Sequence, residues 1–249
     1  GALIQVKREV DSATFDIFPD SNGDLNEQTI INFCGSSDGY IQVWFDQSGN
    51  SRHVTQPNIN NSPKIYVGST GEVYKTNGKP SMRFLGTDRR LLFDDISISV
   101  SDYSVHAVLQ RNFVDDKNRR FMELGVVGDN NRLNSHGHGG NGGTLIGFFG
   151  GSRAPINRII STPSDENPHQ YFYGVRNSLT QIMAIDGGSA VSDSAPLNSF
   201  TASRITIGAQ LIDFDSDWTG PMQELVLYAN NMFDFREQIA AEQMGYWMP

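Results

Sequence analysis

Three carboxylates alternate along Asp213-Phe214-Asp215-Ser216-Asp217, and Trp218 follows directly. Oxygen ligands in this pattern can converge on calcium, a hard cation that takes about six to eight of them. Trp218 could then offer a flat face to a sugar ring. The same residues also describe a plain loop, with its charges in water and Trp218 tucked against a sheet edge. Both readings stand at this stage. A second cluster, Ser135-His136-Gly137-His138-Gly139-Gly140-Asn141-Gly142-Gly143, sets two histidines and an asparagine among glycines. Two imidazoles could ligate a transition metal. No third ligand is near them in sequence, and glycine is entropically costly to order. The stretch therefore reads as a flexible rim loop whose His136, His138 and Asn141 touch a ligand or a neighbouring subunit.

Other chemistry-bearing residues point less far. Asp20-Ser21-Asn22-Gly23-Asp24 opens like a calcium loop, but Leu25 and Ile31 stand where that pattern needs Gly and Glu. It reads as a hydrogen-bonded turn. His53, His106 and His169 have no Ser or Cys partner in view, so no nucleophile–base arrangement is legible. The glycines at 139–143 lack the Lys and helix of a phosphate loop. Arg89-Arg90 and Arg119-Arg120 are basic pairs in an acidic chain, expected in solvated turns or against an acidic glycan. Cys34 is single and can form no internal disulfide; a small buried hydrophobe is the expected role.

The elements that must carry these residues are mostly strands. Alternating or β-rich runs occur at 2–9, 40–45, 81–85, 103–111, 121–127, 145–149, 170–176, 180–185, 204–207 and 222–228. Asp46-Gln47-Ser48-Gly49-Asn50 and Asn77-Gly78-Lys79-Pro80 are turns between them. Two helices are expected. One spans 26–33, and the other 233–246, with Asp234 as N-cap and Glu237 at capping-box spacing. No linker, repeat or low-complexity run interrupts the chain, so its 249 residues read as a single domain, 1–249. Many strands with frequent turns make an all-β antiparallel two-sheet jelly-roll sandwich with a short C-terminal helix.

Composition narrows the partners. A formal net charge of −9 argues against nucleic acid and against anionic lipid, both of which call for a basic face. No run reaches the length of a membrane span. The opening Gly1-Ala2-Leu3-Ile4-Gln5-Val6 reads as the middle of a strand, as in a fragment of a longer chain.

The start of the chain (Gly1 to Asp11), the run Val43-Trp44-Phe45-Asp46-Gln47-Ser48-Gly49-Asn50 and the run Gly78-Lys79-Pro80-Ser81-Met82-Arg83-Phe84 resemble the catalytic-type domain of α-L-arabinofuranosidase B enzymes. That domain also occurs in phage tail and head-fibre proteins. The later runs Ile205-Thr206-Ile207-Gly208-Ala209-Gln210, Gly220 to Tyr228, and the hairpin at Ala184-Ile185-Asp186-Gly187-Gly188 resemble the wider concanavalin A-like, laminin-G-like group. The resemblance implies a sandwich with a concave, saccharide-holding face. It also implies a Glu nucleophile on a middle strand and an Asp acid in a Gly-rich loop. The matching stretch, Thr144 to Gly151, has no carboxylate, while Asp213 falls near the acid's place.

The expectation drawn from this absence is a non-catalytic carbohydrate-binding or adhesion module of a virion fibre, tail or bacterial surface protein, outside the cell or on the virion surface. Its partners would be polysaccharide or cell-surface glycan, together with other virion proteins or further copies of itself, and calcium is the one cofactor considered. Two alternatives are carried with it. One is a purely structural decoration domain. The other is a glycoside hydrolase with relocated carboxylates, for which Asp213, Asp215, Asp217 and Glu224 are the candidates.

Overall fold

The computed structural model describes residues 1–86, 88–112, 119–138, 145–150, 158–161, 167–176, 180–193, 200–209 and 217–248. Its elements run β1 (Ile4–Arg8), β2 (Thr14–Ile17), α1 (Glu27–Cys34), β3 (Gly39–Trp44), β4 (Val54–Thr55), β5 (Lys64–Val67), β6 (Glu72–Val73), β7 (Lys75–Thr76), β8 (Lys79–Pro80) and β9 (Met82–Leu85). Then follow β10 (Leu91–Ser99), β11 (Tyr103–Gln110), β12 (Arg119–Val126), β13 (Asp129–His138), β14 (Leu145–Gly150) and β15 (Arg158–Ser161). The chain ends with β16 (Pro168–Arg176), β17 (Thr180–Ile185), β18 (Val191–Asp193), β19 (Thr201–Ile207), β20 (Thr219–Tyr228) and α2 (Arg236–Trp247).

Hydrogen-bonded neighbours define two antiparallel layers. The front layer runs β4–β10–β19–β12–β13–β14–β15. The back layer runs β5–β9–β20–β11–β16–β17–β18. They meet at β3, whose Gly39–Tyr40 end pairs with β5 while its Val43–Trp44 end pairs with β4. The far edge of β3 carries β1 and then β2. The all-β antiparallel sandwich expected from the strand pattern is what forms.

Between the layers the period of two decides which side chains meet. Val105, Ala107 and Leu109 of β11 join Tyr171, Tyr173 and Val175 of β16 on one side. Phe121, Met122 and Leu124 of β12 join Ile205 and Ile207 of β19 on the other. The intervening residues of the back layer, Ser104 and His106, face outward, where α2 packs over β16 and β11. Burial there pushes the His106 imidazole down to about 4. Cys34 is buried as expected, its thiol pushed up to about 11 by desolvation.

Several expectations need correction. The stretch through His138 is strand and not loop: β13 is paired on both sides, His136 opposite Met122 and Phe148, Gly137 opposite Arg120 and Gly147. Two ladders offset the entropy of ordering its glycine. Strand β10 is absent from the sequence reading because Asp94-Asp95 interrupts its alternation. Asp95 takes a positive φ of 85°, and the register against β19 shifts between Asp94 and Ile98. At the C-terminus a 3-10 turn at Phe233–Phe235 precedes α2, so the cap position falls on Phe235 with no side-chain capping bond, and Asp234 sits inside the turn. The first helix, expected over 26–33, spans Glu27–Cys34 and is capped by Asn26, whose Oδ1 accepts from the Thr29 amide at 3.0 Å.

Candidate functional site

The front layer leads to the acidic loop. Strand β19 ends at Gly208, whose φ of 88° is left-handed, and whose missing side chain leaves room for the Phe84 ring and for the Arg89 carbonyl, 2.8 Å from where a Cβ would stand. The Gly208 amide donates to Phe121 O at 2.8 Å, and the Trp218 amide returns to Gly208 O at 2.8 Å. Asp217 also bridges Arg120 in parallel. Gly208 and Asp217-Trp218 are therefore joined beside β12, on the same strands that carry the front face. Asp213 and Asp215 lie outside the described residues.

Asp217 and Trp218 are described, and neither is open to water: each is 1% exposed. The Trp218 indole packs edge-on against Phe121, ring centroids 5.9 Å apart. It belongs to the core and presents no face to a sugar, because the β-bridge and the return hydrogen bond turn it inward. Asp217 Oδ2 accepts the Asp88 amide, and its backbone carbonyl accepts from Arg119 Nη1 at 3.0 Å. Burial raises the Asp217 carboxyl above its ordinary value. The Asp88 amide, Arg90 and Arg119 pull it back, and the Asp88 carboxylate pushes with the burial. Its Oδ1 is buried without a hydrogen-bond partner. Asp217 is thus an anchor that pins the base of the loop.

A carboxylate that the sequence reading missed lies on the same layer. Glu123 is fully buried. Register places it in a row across five strands: Leu92, Thr206, Glu123, Ser135 and Phe149. Met122 and Leu124 on either side of it turn to the core, so Glu123 faces the opposite way, onto the outer side of the front layer. Thr206, also fully buried, has its Oγ1 without a partner. The available signal was a lone charge within Phe121-Met122-Glu123-Leu124-Gly125, since an isolated carboxylate is costly in an apolar strand and is kept there only with compensation. Three residues at about 3.3 Å each put Glu123 roughly 10 Å along β12 from the Arg120–Asp217 bridge.

The remaining expected residues separate from this face. His136 and His138 fall on β13 at pairings with Met122 and Arg119, with their side chains outside what is described. Asn141 lies outside the described residues. Among the described residues no group of three or more His, Cys, Asp or Glu side chains converges as a metal site. Glu224 pairs across from Val108 and lies on the outer side of the back layer, beyond the core from Asp217. There it accepts from Trp247 Nε1 at 2.6 Å. Arg119 and Arg120 are partly or wholly buried beside Asp217 and not in a solvated turn.

Comparison with known proteins adds to this geometry. Residues 1–78 match the family model described as α-L-arabinofuranosidase B, catalytic. The α-L-arabinofuranosidase B of Aspergillus oryzae is 44% identical over 57 residues, 22% of this chain and 11% of that protein. A probable α-L-arabinofuranosidase B of Aspergillus flavus matches equally, 44% over 57 residues. Among solved structures, an arabinofuranosidase complexed with arabinofuranosyl-α-1,2-xylobiose superposes with a TM-score of 0.72 at 17% identity, over 96% of this chain and 58% of that one. A heptameric pentraxin from Limulus polyphemus superposes at 0.51 with 14% identity, over 65% of this chain and 80% of that one. The chain therefore spans a small part of its curated relatives and just over half of the solved arabinofuranosidases. The expectation of a non-catalytic binding module does not stand: the family model that fits the N-terminal segment is that of a catalytic domain, and the sandwich over nearly the whole chain is the one arabinofuranosidases use.

Proposed function

We propose that this domain is a glycoside hydrolase that removes α-L-arabinofuranosyl groups from a polysaccharide outside the cell or at a virion surface. The observation that carries the reading is the match of residues 1–78 to the arabinofuranosidase catalytic model. The fold shared with an arabinofuranosidase that binds an arabinofuranosyl xylobiose supports it.

Hydrolysis of this kind needs one carboxyl to protonate the leaving oxygen and a second to attack the sugar or to activate water. Asp213, which the family resemblance puts at the acid's place, lies in sequence between Gly208 and Asp217, both of which are fixed against β12. Glu123 supplies the second carboxylate from the neighbouring strand, in the row that also crosses the strand where the resemblance puts the nucleophile. Glu123 stands roughly 10 Å along β12 from Asp217, and the two carboxyls of such enzymes stand about 5 to 9.5 Å apart in the two known geometries. Calcium, if bound, would draw on Asp213, Asp215 and the unpartnered Asp217 Oδ1, and a calcium titration followed by Tm reads this directly.

The test is release of 4-nitrophenol from 4-nitrophenyl α-L-arabinofuranoside and of arabinose from arabinose-decorated xylan. Turnover that falls roughly a thousandfold in both Glu123→Gln and Asp213→Asn is the expected result. Failure to release either product sinks the proposal. Turnover that survives Glu123→Gln keeps the activity but removes the residue assignment.

A further inference from the structure

A concavity lies across the core from Asp217. It has a volume of about 500 Å³ and sits between α2, the outer face of β20 and the N-terminal strands. Its floor is apolar, with Ile41, Ile65 and Met82 from β3, β5 and β9 and Ile239 from α2. The hydrolytic reading does not use it.

Two features point to an occupant. Gln223 and Gln243 line the pocket and are 7% and 5% exposed. The Gln223 amide nitrogen is engaged by Thr76 O at 3.0 Å, and the Gln243 oxygen accepts from Gln170 Nε2 at 3.0 Å. Their other ends, Gln223 Oε1 and Gln243 Nε2, are buried with no partner. A buried polar atom without a partner is costly, so a ligand group that meets it gains that free energy. The second feature is charge. Glu224 and Glu242 also line the pocket, and among the described residues neither forms an ion pair. Glu224 accepts only from Trp247 Nε1 (2.6 Å), and Glu242 from Gln238 Nε2 (3.3 Å). The nearby Lys79 ammonium is already taken by Asp24 (3.5 Å) and by the Tyr246 ring, 3.9 Å away. Tyr246 reports the same acidity: its hydroxyl is pushed up by burial first, then by Asp24, Asp20 and Glu224.

We propose that this pocket binds a small organic cation, an apolar body bearing a primary ammonium group. The body lies on the aliphatic floor between the aromatic side chains of Trp44, Tyr228 and Trp247. The ammonium meets Glu224 and Glu242, and the aromatic faces add cation–π attraction. An anion is excluded by the two carboxylates. A polar sugar would leave the aliphatic floor poorly matched.

Calorimetry and tryptophan fluorescence with 2-phenylethylammonium as probe test this, because Trp44 and Trp247 border the pocket. The ammonium probe is expected to bind one to one. The isosteric 2-phenylethanol should bind at least about tenfold more weakly, and 3-phenylpropionate not detectably. Glu242→Gln, on the exposed side of α2, should weaken the ammonium probe and leave the alcohol unchanged. Ile239→Trp, which fills the pocket, should abolish both. Equal affinity for alcohol and ammonium, no binding of the ammonium probe, or unchanged binding in Ile239→Trp overturns the proposal. None of these outcomes bears on arabinofuranoside turnover, so the two assignments fail separately.

Discussion

Gly208 and Asp217 bear most directly on the acidic loop. Gly208 combines a left-handed φ with a Cβ position occupied by the Phe84 ring and the Arg89 carbonyl. Gly208→Ala should therefore destabilise the fold by about 2–4 kcal/mol through strain and overpacking, measured by denaturant titration. A variant as stable as the parent would mean that Phe84 can move aside. Asp217 makes a prediction of the opposite sign. Its carboxyl is raised from 3.8 in the fold, mainly by burial. A group raised on folding contributes stability that is fully present below its unfolded value and is lost as pH rises through its folded value. Asp217→Asn keeps an acceptor for the Asp88 amide but cannot ionise. It should match the parent below pH 3.8 and exceed it in Tm at pH 7, with the gap opening between. A gap that is equally large at both ends would show that ionisation is not its source.

Elements fix how these residues are presented. The N-cap bond from Asn26 to the Thr29 amide sets the start of α1, which packs against β6, β1, β2 and β5. Asn26→Ala should cost about 1 kcal/mol, read as a lower Tm. Strand β10 is held past its irregularity by Asp94 and Arg204, bonded across to β19 through both carboxylate oxygens. Both side chains are partly exposed, 45% and 24%. Asp94→Ala should thus cost no more than about 1 kcal/mol. The Asp94 carboxyl is held below its ordinary value, by Arg204 above all. The contribution it makes is present above pH 3.8 and fades as pH falls through the lowered value, the reverse of Asp217. Thermal melts of Asp94→Ala and the parent should converge in strong acid.

Across the molecule, the two layers separate Glu123 and Asp217, on the front, from the apolar pocket and α2, on the back. The central strand β11 pairs on both edges, with β16 and β20, and its outward residues lie under α2. Its amides should be the slowest to exchange with solvent, near the global unfolding limit. Those of β2, at the outer edge beside β1, should be among the fastest of the strand amides. Exchange of His106 or Ala107 as rapid as that of β2 would argue against one cooperative two-layer core.

The period of two, the turn residues and the placement of Gly and Asn told the fold class and most strand positions, because those signals act between near neighbours in the chain. The strand over 180–185 is read to its ends, and the helix after Asn26 is read to within a residue. Strand β10 was hidden by Asp94-Asp95, since a bulge is tolerated only when a distant partner such as Arg204 holds the strand. The site was harder to read for the same reason. The carboxylates of 213–217 look alike in sequence, and only the bridge from Asp217 to Arg120 distinguishes an anchor from the loop it holds. Trp218 reads as a sugar platform until Phe121, nearly a hundred residues earlier in the chain, is seen to cover it. Glu123 becomes a candidate only when five strands align it in a row, and Glu224 is set apart from it when its strand proves to belong to the opposite layer. Local physics chose the elements. Long-range pairing decided which faces they turn to each other, and so which carboxylates can share a substrate.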